Sequence, residues 1–237
     1  MFKVTNIDYP LGKGNRQFIP VFINIHTHSQ IYDAQLELVN LFVSKGDRTN
    51  HYSYGLHPWH IDEYYESDLE RLNDIAKEKR CLAIGECGLD KLSKVDFDLQ
   101  EKVFIEHIRI ANELNKPLII HCVKAFNELI NCLNLNDNNV PVIIHGFNNN
   151  ENIARILTNE GYYFSFGKAL LGYESNAAKA IKAVGRKRFF LETDDTDLSI
   201  KYVYLKAAEL LGVNEDIIQA QIEENFKTVF NIDISKK

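Results

Sequence analysis

The chain has 237 residues, 45% hydrophobic, 25% charged and 11% aromatic, the proportions of an ordinary globular protein rather than a disordered or fibrous one. Its 27 lysines and arginines against 33 acids give a formal charge of −6, which argues against a surface that coats duplex DNA through many phosphate contacts. No apolar run approaches the ~20 residues that cross a bilayer, and the N-terminal MFKVTNIDYPLGKGNRQFIP lacks the apolar core of a secretory signal. Four cysteines without a CxxC pair read as reduced thiols, so the expected setting is cytoplasmic.

Taken in chain order, short apolar runs alternate with amphipathic stretches, the pattern of βα units around a parallel sheet. Residues 1–20 read as an N-terminal extension. VFINIH (21–26) predicts the first strand. LELVNLFV (36–43) alternates poorly and reads as a further strand, and SKGDRTN (44–50) as a turn-rich loop, so one early crossover helix is expected to be lost or replaced. HYSYG (51–55) is a strand and 64–79 an amphipathic helix burying Tyr65, Leu69, Leu72 and Ile75. CLAIGE (81–86), PLIIHC (117–122), VIIH (142–145), YYFSF (162–166) and RFFLETD (188–194) complete eight strands. Most are continuously apolar, as expected of strands covered on both faces. Helices are predicted over 96–115, 199–211 and 215–230, with Gly212 as the stop between the last two. No linker or repeat divides the chain, so the expectation is one domain over 1–237: an α/β fold, a distorted TIM (β/α)8 barrel lacking an early crossover helix.

The chemistry lies at the strand ends. His26 and His28 follow VFINI, Glu86 follows CLAIG, His121 follows PLII, His145 follows VII, and Asp194 ends FFLETD. In a βα barrel these C-terminal ends open on one face, where active sites are assembled from several strands. Four imidazoles and two carboxylates suit Zn²⁺, Mn²⁺ or similar divalent ions. Six ligands exceed the three that one catalytic zinc takes from protein, but they match two ions sharing a carboxylate. Burying such groups together without a cation would leave costly unpaired atoms. His57, in GLHPWH, faces the same mouth as a substrate contact or a support. His60 is expected in solvent, and His51 and His107 are read as structural. Lys168, after YYFSFG, and Lys124, after His121, are candidate phosphate contacts. Arg186, Lys187 and Arg188 precede a strand and therefore belong to the opposite face.

The ordered set IHTH (25–28), GLHP (55–58), AIGECGLD (83–90), PLIIH (117–121), IIHGF (143–147), YFSFG (163–167), LETD (191–194) and ENFKTVF (224–230) resembles the TatD family of metal-dependent hydrolases, within the amidohydrolase-like barrels. The resemblance covers about residues 21–230. It implies two divalent ions (Zn, Mn or Mg) and hydrolysis of phosphodiester bonds, typically as a deoxyribonuclease. His26, His28 and Asp194 would hold one ion, His121 and His145 the other, and Glu86 would bridge them. Asp194 and Glu86 are the residues expected to carry catalysis. Three positions depart from the family pattern. Asn24 stands where an Asp precedes the first His, Val123 where an Arg follows His121, and the loop after Asp194 is shortened. The substrates expected are DNA ends, short oligonucleotides or small phosphoesters, with no membrane and no obligate protein partner. Two other readings stay open: an amidohydrolase acting on a small amide, ester or lactone, and a non-catalytic metal-binding relative.

Overall fold

The structure is a computed structural model that describes residues 21–30, 32–42 and 51–234. The extension 1–20 and the predicted loop 44–50 lie outside the described residues. Eight strands run β1 (Ile23–Thr27), β2 (Leu36–Phe42), β3 (Tyr52–Gly55), β4 (Cys81–Asp90), β5 (Leu118–Val123), β6 (Val142–Ile144), β7 (Tyr163–Phe166) and β8 (Phe189–Leu191). They pair in sequence order, every pair parallel. Among the described residues seven α-helices accompany them: α1 (Tyr65–Ile75), α2 (Phe97–Leu114), α3 (Phe126–Leu135), α4 (Glu151–Asn159), α5 (Asn176–Val184), α6 (Ile200–Leu211) and α7 (Glu215–Phe230). This is the expected distorted TIM barrel.

The strands are apolar because both their faces are covered. Ile23, Ile25, Ile84, Ile119, Phe164 and Phe189 are all fully buried in one continuous core. Local signals set the helix ends. Asp96 caps α2 by accepting the Leu99 N–H at 3.1 Å, Ser175 caps α5, and Gly212, in the left-handed region at φ 64°, ends α6 as the sequence predicts. The first helix is shorter than the 64–79 expected. Beyond Ala76 the ammonium of Lys116 draws together the carbonyls of Ala76, Glu78 and Cys81, and the chain turns into β4.

LELVNLF is a strand, and no helix lies between β1 and β2 among the described residues. A parallel connection must return the chain to the barrel base. Eight residues at full extension reach ~26 Å, more than the ~17 Å rise of the five-residue β1, so a connection of this length needs no helix. The return is anchored at its foot, where Gln35 donates its N–H to the Phe22 carbonyl at 2.9 Å, and midway, where Asp33 accepts the Ile200 N–H at 3.0 Å.

The β8–β1 seam is closed by site residues rather than by a regular ladder. Thr27 and Asp194 form an isolated parallel bridge, His28 N–H donates to the Asp194 carbonyl at 2.9 Å, and Asp194 N–H donates to the His26 carbonyl at 3.1 Å. The last strand thus ends at Leu191, and 192–194 reach the mouth as irregular backbone. Among the described residues no helix is long and apolar enough to cross a membrane. All four cysteines are free thiols, three of them buried.

Candidate metal centre

Two bulges aim the central side chains. Between β1 and β2, Asn24 pairs with Glu37 but Thr27 with Val39, so β1 carries one extra residue at Ile25–His26. Between β4 and β5, Ile84 pairs with Leu118 but Cys87 with Ile120, which places an extra residue at Gly85–Glu86. Such insertions re-aim a side chain at a barrel rim. Glycine is required beside the second bulge. A Cβ on Gly85 (φ 144°) would lie 2.3 Å from the Ile119 carbonyl oxygen, and one on Gly88 (φ 135°) 2.1 Å from that of His121.

The result is a single buried carboxylate, Glu86, surrounded by five imidazoles. Its Oε2 faces His26 Nε2 at 3.6 Å and His28 Nε2 at 3.5 Å. Its Oε1 faces His57 Nε2 and His121 Nδ1, each at 3.1 Å, and His145 Nε2 at 2.7 Å. Asp194 Oδ1 completes the first group, 3.5 Å from His26 and 3.3 Å from His28. The six residues expected as ligands therefore converge on one point of the barrel mouth.

Three features of this cluster fit a divalent cation. First, His26 is fully buried with neither ring nitrogen hydrogen-bonded, a costly arrangement for two polar atoms. Second, donors ~2.0–2.1 Å from a tetrahedral ion lie ~3.3–3.4 Å apart, close to the 3.3–3.6 Å separating His26, His28, Glu86 and Asp194. Third, both His121 nitrogens face carboxylate oxygens, Nε2 at 3.0 Å from Asp90 Oδ2 and Nδ1 at 3.1 Å from Glu86 Oε1, and a neutral ring has one proton for the two, which leaves a lone pair against one carboxylate. A carboxylate oxygen facing a lone pair calls for a positive charge between them. Groups of three donors mutually within 4.8 Å include His26–His28–Glu86, His26–His145–Asp194 and His57–Glu86–His121.

His57 has a different role from the other imidazoles. Its Nδ1 accepts the Trp59 N–H at 3.0 Å, which puts its proton on Nε2 and makes it a hydrogen-bond donor to Glu86. Burial lowers its pKa, in keeping with a neutral ring.

Charge balance runs through the same contacts. Burial pushes the Glu86 carboxyl upward, but His145, His121 and His28 outweigh it and hold the group well below the usual carboxylate range. Asp194 is lowered likewise, burial being outweighed by His26 and His28. His28 is raised to about 9 by its contacts with Asp194 and Glu86. His145 is raised despite burial, chiefly by the charge of Glu86. Among the described residues no lysine or arginine pairs with these carboxylates.

Sequence reasoning missed three supports. Asp90 orients His121, and Glu192 lies 3.7 Å from His145 Nδ1 while accepting the Gly146 N–H at 2.7 Å. Carboxylates behind imidazoles fix ring orientation and raise ligand basicity. Both acids stand inside quoted motifs, GECGLD and LETD, which was the available signal. Asn40 of β2 grips Glu86 from both ends, accepting its N–H at 2.9 Å and donating to Oε2 at 3.2 Å. Asn24, where the family pattern has Asp, exchanges two hydrogen bonds with Thr193 and so sets the backbone before Asp194.

Lys124 follows β5 at φ 55° and Lys168 opens a 3-10 turn after β7. Both are exposed on the mouth side. His60 is exposed, and His107 is buried in α2, where its Nε2 accepts the Leu56 N–H at 3.0 Å. Arg186–Arg188 form a 3-10 turn before β8, at the barrel base.

With this geometry in hand, comparison with known proteins is direct. The family model described as TatD related DNase matches residues 15–231. The chain belongs to the TatD-related family. A Buchnera aphidicola relative named as an uncharacterized metal-dependent hydrolase is 29% identical, covering 96% of this chain and 90% of its own. The 3'-5' ssDNA/RNA exonuclease TatD of Escherichia fergusonii is 24% identical over 75% of this chain and 76% of its own. The crystal structure of a TatD homologue from Escherichia coli K12 shares the fold at TM-score 0.79 and 19% identity, covering 89% of this chain and 98% of that one.

Proposed function

We propose that the protein is a two-metal phosphodiesterase acting on DNA ends, short oligonucleotides or small phosphoesters. The observation that carries this reading is the division of Glu86. One oxygen faces His26, His28 and the Asp194 group, and the other faces His121 and His145. His26, His28 and Asp194 would hold one divalent ion and His121 and His145 the other, with Glu86 shared between the two groups. Bound there, the ions supply Lewis acidity at the phosphoryl oxygens and lower the pKa of an attacking water.

The chain's own groups do the rest. Asp194, partly exposed at the mouth, accepts the proton of the attacking water. His57 donates from Nε2 toward Glu86 Oε1 and so holds that carboxylate in place. Asp90 keeps His121 oriented, Glu192 stands 3.7 Å behind His145 Nδ1, and Lys124 and Lys168 stand at the rim as phosphate contacts.

The formal charge of −6 gives no long-range attraction for a polyanion. The segment between Asp194 and α6 is only 195–199, too short to carry a phosphate-gripping loop. Long duplex is therefore a poor substrate. Free thiols fit a reducing, cytoplasmic setting. The test is elemental analysis of the purified protein followed by a Mn²⁺-supplemented panel of short single strands, duplexes, small phosphodiesters, lactones and amides. Turnover of phosphodiesters but not of lactones or amides supports the reading. Absence of metal together with absence of metal-dependent turnover after reconstitution refutes it.

A further inference from the structure

Trp59 is the only tryptophan of the chain, and it lies at the mouth of the site with 59% of its surface exposed. Its orientation is nevertheless fixed. The indole Nε1–H donates to Asp90 Oδ2 at 2.6 Å, and Asp90 is 1% exposed. The same oxygen takes the His121 Nε2 contact at 3.0 Å. The indole meets the His57 and His121 rings edge to face, with centroids 5.0 and 5.7 Å apart. The backbone beneath it is tied down as well. Trp59 N–H donates to His57 Nδ1, His60 N–H to the His57 carbonyl at 2.9 Å, and Ser93 Oγ to the Pro58 carbonyl at 3.3 Å.

An indole whose polar edge is anchored inward, while most of its apolar surface stays in water, is a flat surface ordered before any ligand arrives. Preorganisation of this kind lowers the ordering cost of binding. The anchoring of Asp90 does not account for the exposed area, because Asp90 already accepts the Leu92 N–H at 2.7 Å and contacts His121.

We propose that Trp59 is the stacking platform for a nucleobase attached to the phosphoester held at Glu86, an inference that rests on the phosphodiesterase reading above. The distances agree: the indole is 5.7 Å from the His121 ring, whose Nδ1 is 3.1 Å from Glu86, so platform and centre are within one nucleotide of each other. Stacking on an aromatic face is sequence-tolerant, because every base has a π-face. It supplies affinity that needs no chain of phosphate contacts, which suits a protein of net charge −6. It also sets specificity. A base inside a duplex already has both faces covered, so the platform selects unstacked bases at single-stranded ends and disfavours small aliphatic esters.

A single tryptophan makes the test direct. Metal-loaded protein is titrated with a short oligothymidylate and with an abasic strand of the same length, following tryptophan fluorescence and the anisotropy of labelled strands. Stacking predicts saturable quenching by the base-bearing strand and about tenfold weaker, unquenched binding of the abasic one. Trp59→Ala should remove that preference, and Trp59→Phe should keep it while losing the Asp90 contact. Equal binding of the two strands without quenching overturns the platform and leaves the phosphodiesterase reading standing. Binding of neither strand with turnover of small phosphodiesters retained also overturns the platform alone, and binding of neither strand with no phosphodiester turnover overturns both.

Discussion

His107 couples acid stability to the segment between β3 and α1 that carries His57. It is fully buried in α2, with Nδ1 2.8 Å from the Val103 carbonyl and Nε2 accepting the Leu56 N–H. A proton on Nε2 would face that N–H, and burial lowers the pKa from 6.5 to about 4. The unfolded chain therefore binds a proton below pH ~6.5 that the native state refuses until about pH 4. Stability conferred by the neutral ring is complete above that window and is lost as pH falls through it. At about 1.36 kcal/mol per unit, the loss reaches about 2 kcal/mol by pH ~5 and about 3 kcal/mol by pH ~4. His107→Gln preserves a donor and an acceptor without the titration. Urea denaturation of both proteins at pH ~7 and ~5 should show the variant losing about 2 kcal/mol less than the parent. Parallel pH profiles for the two proteins would refute the assignment.

Other consequences follow from the same contacts. Glu86→Ala should reduce metal content and turnover more than any single histidine substitution, because in the proposed assignment each histidine would serve one ion and Glu86 both; elemental analysis and kcat on a phosphodiester check this. Asp90→Asn should weaken metal binding by about 10–100-fold through His121, read by chelator competition, with global stability little changed. Gly88→Ala forces a Cβ to 2.1 Å from the His121 carbonyl oxygen and should cost on the order of 2–3 kcal/mol in thermal or urea unfolding.

The strands and the convergence of the six candidate ligands were legible because they depend on local pattern. Apolar runs that end in His, Glu or Asp place those residues at the C-terminal rim whatever the details of the barrel. LELVNLF alternates poorly because β2, lying between β1 and β3, is buried on both faces: Leu36, Leu38 and Asn40 on one, Glu37 and Leu41 on the other. What escaped depends on register. CLAIGECGLD points to Glu86 at the mouth but gives no sign that Asp90, four residues on, stands behind His121 until β4 is aligned on β5. Asn40 reads as an ordinary polar residue in a strand until β2 is aligned beside the Glu86 bulge. The truncation of α1 by Lys116 depends on a side chain some 40 residues further along, which no helical periodicity contains.

The central claim, that one carboxylate bridges two ions, is tested most directly by loading the protein with Mn²⁺ and recording its electron paramagnetic resonance together with the bound stoichiometry. Glu86 shared between the His26–His28–Asp194 group and the His121–His145 group predicts two Mn²⁺ per chain and a spin-coupled signal that Glu86→Ala abolishes. A single Mn²⁺ per chain, or two with uncoupled spectra, would contradict the account.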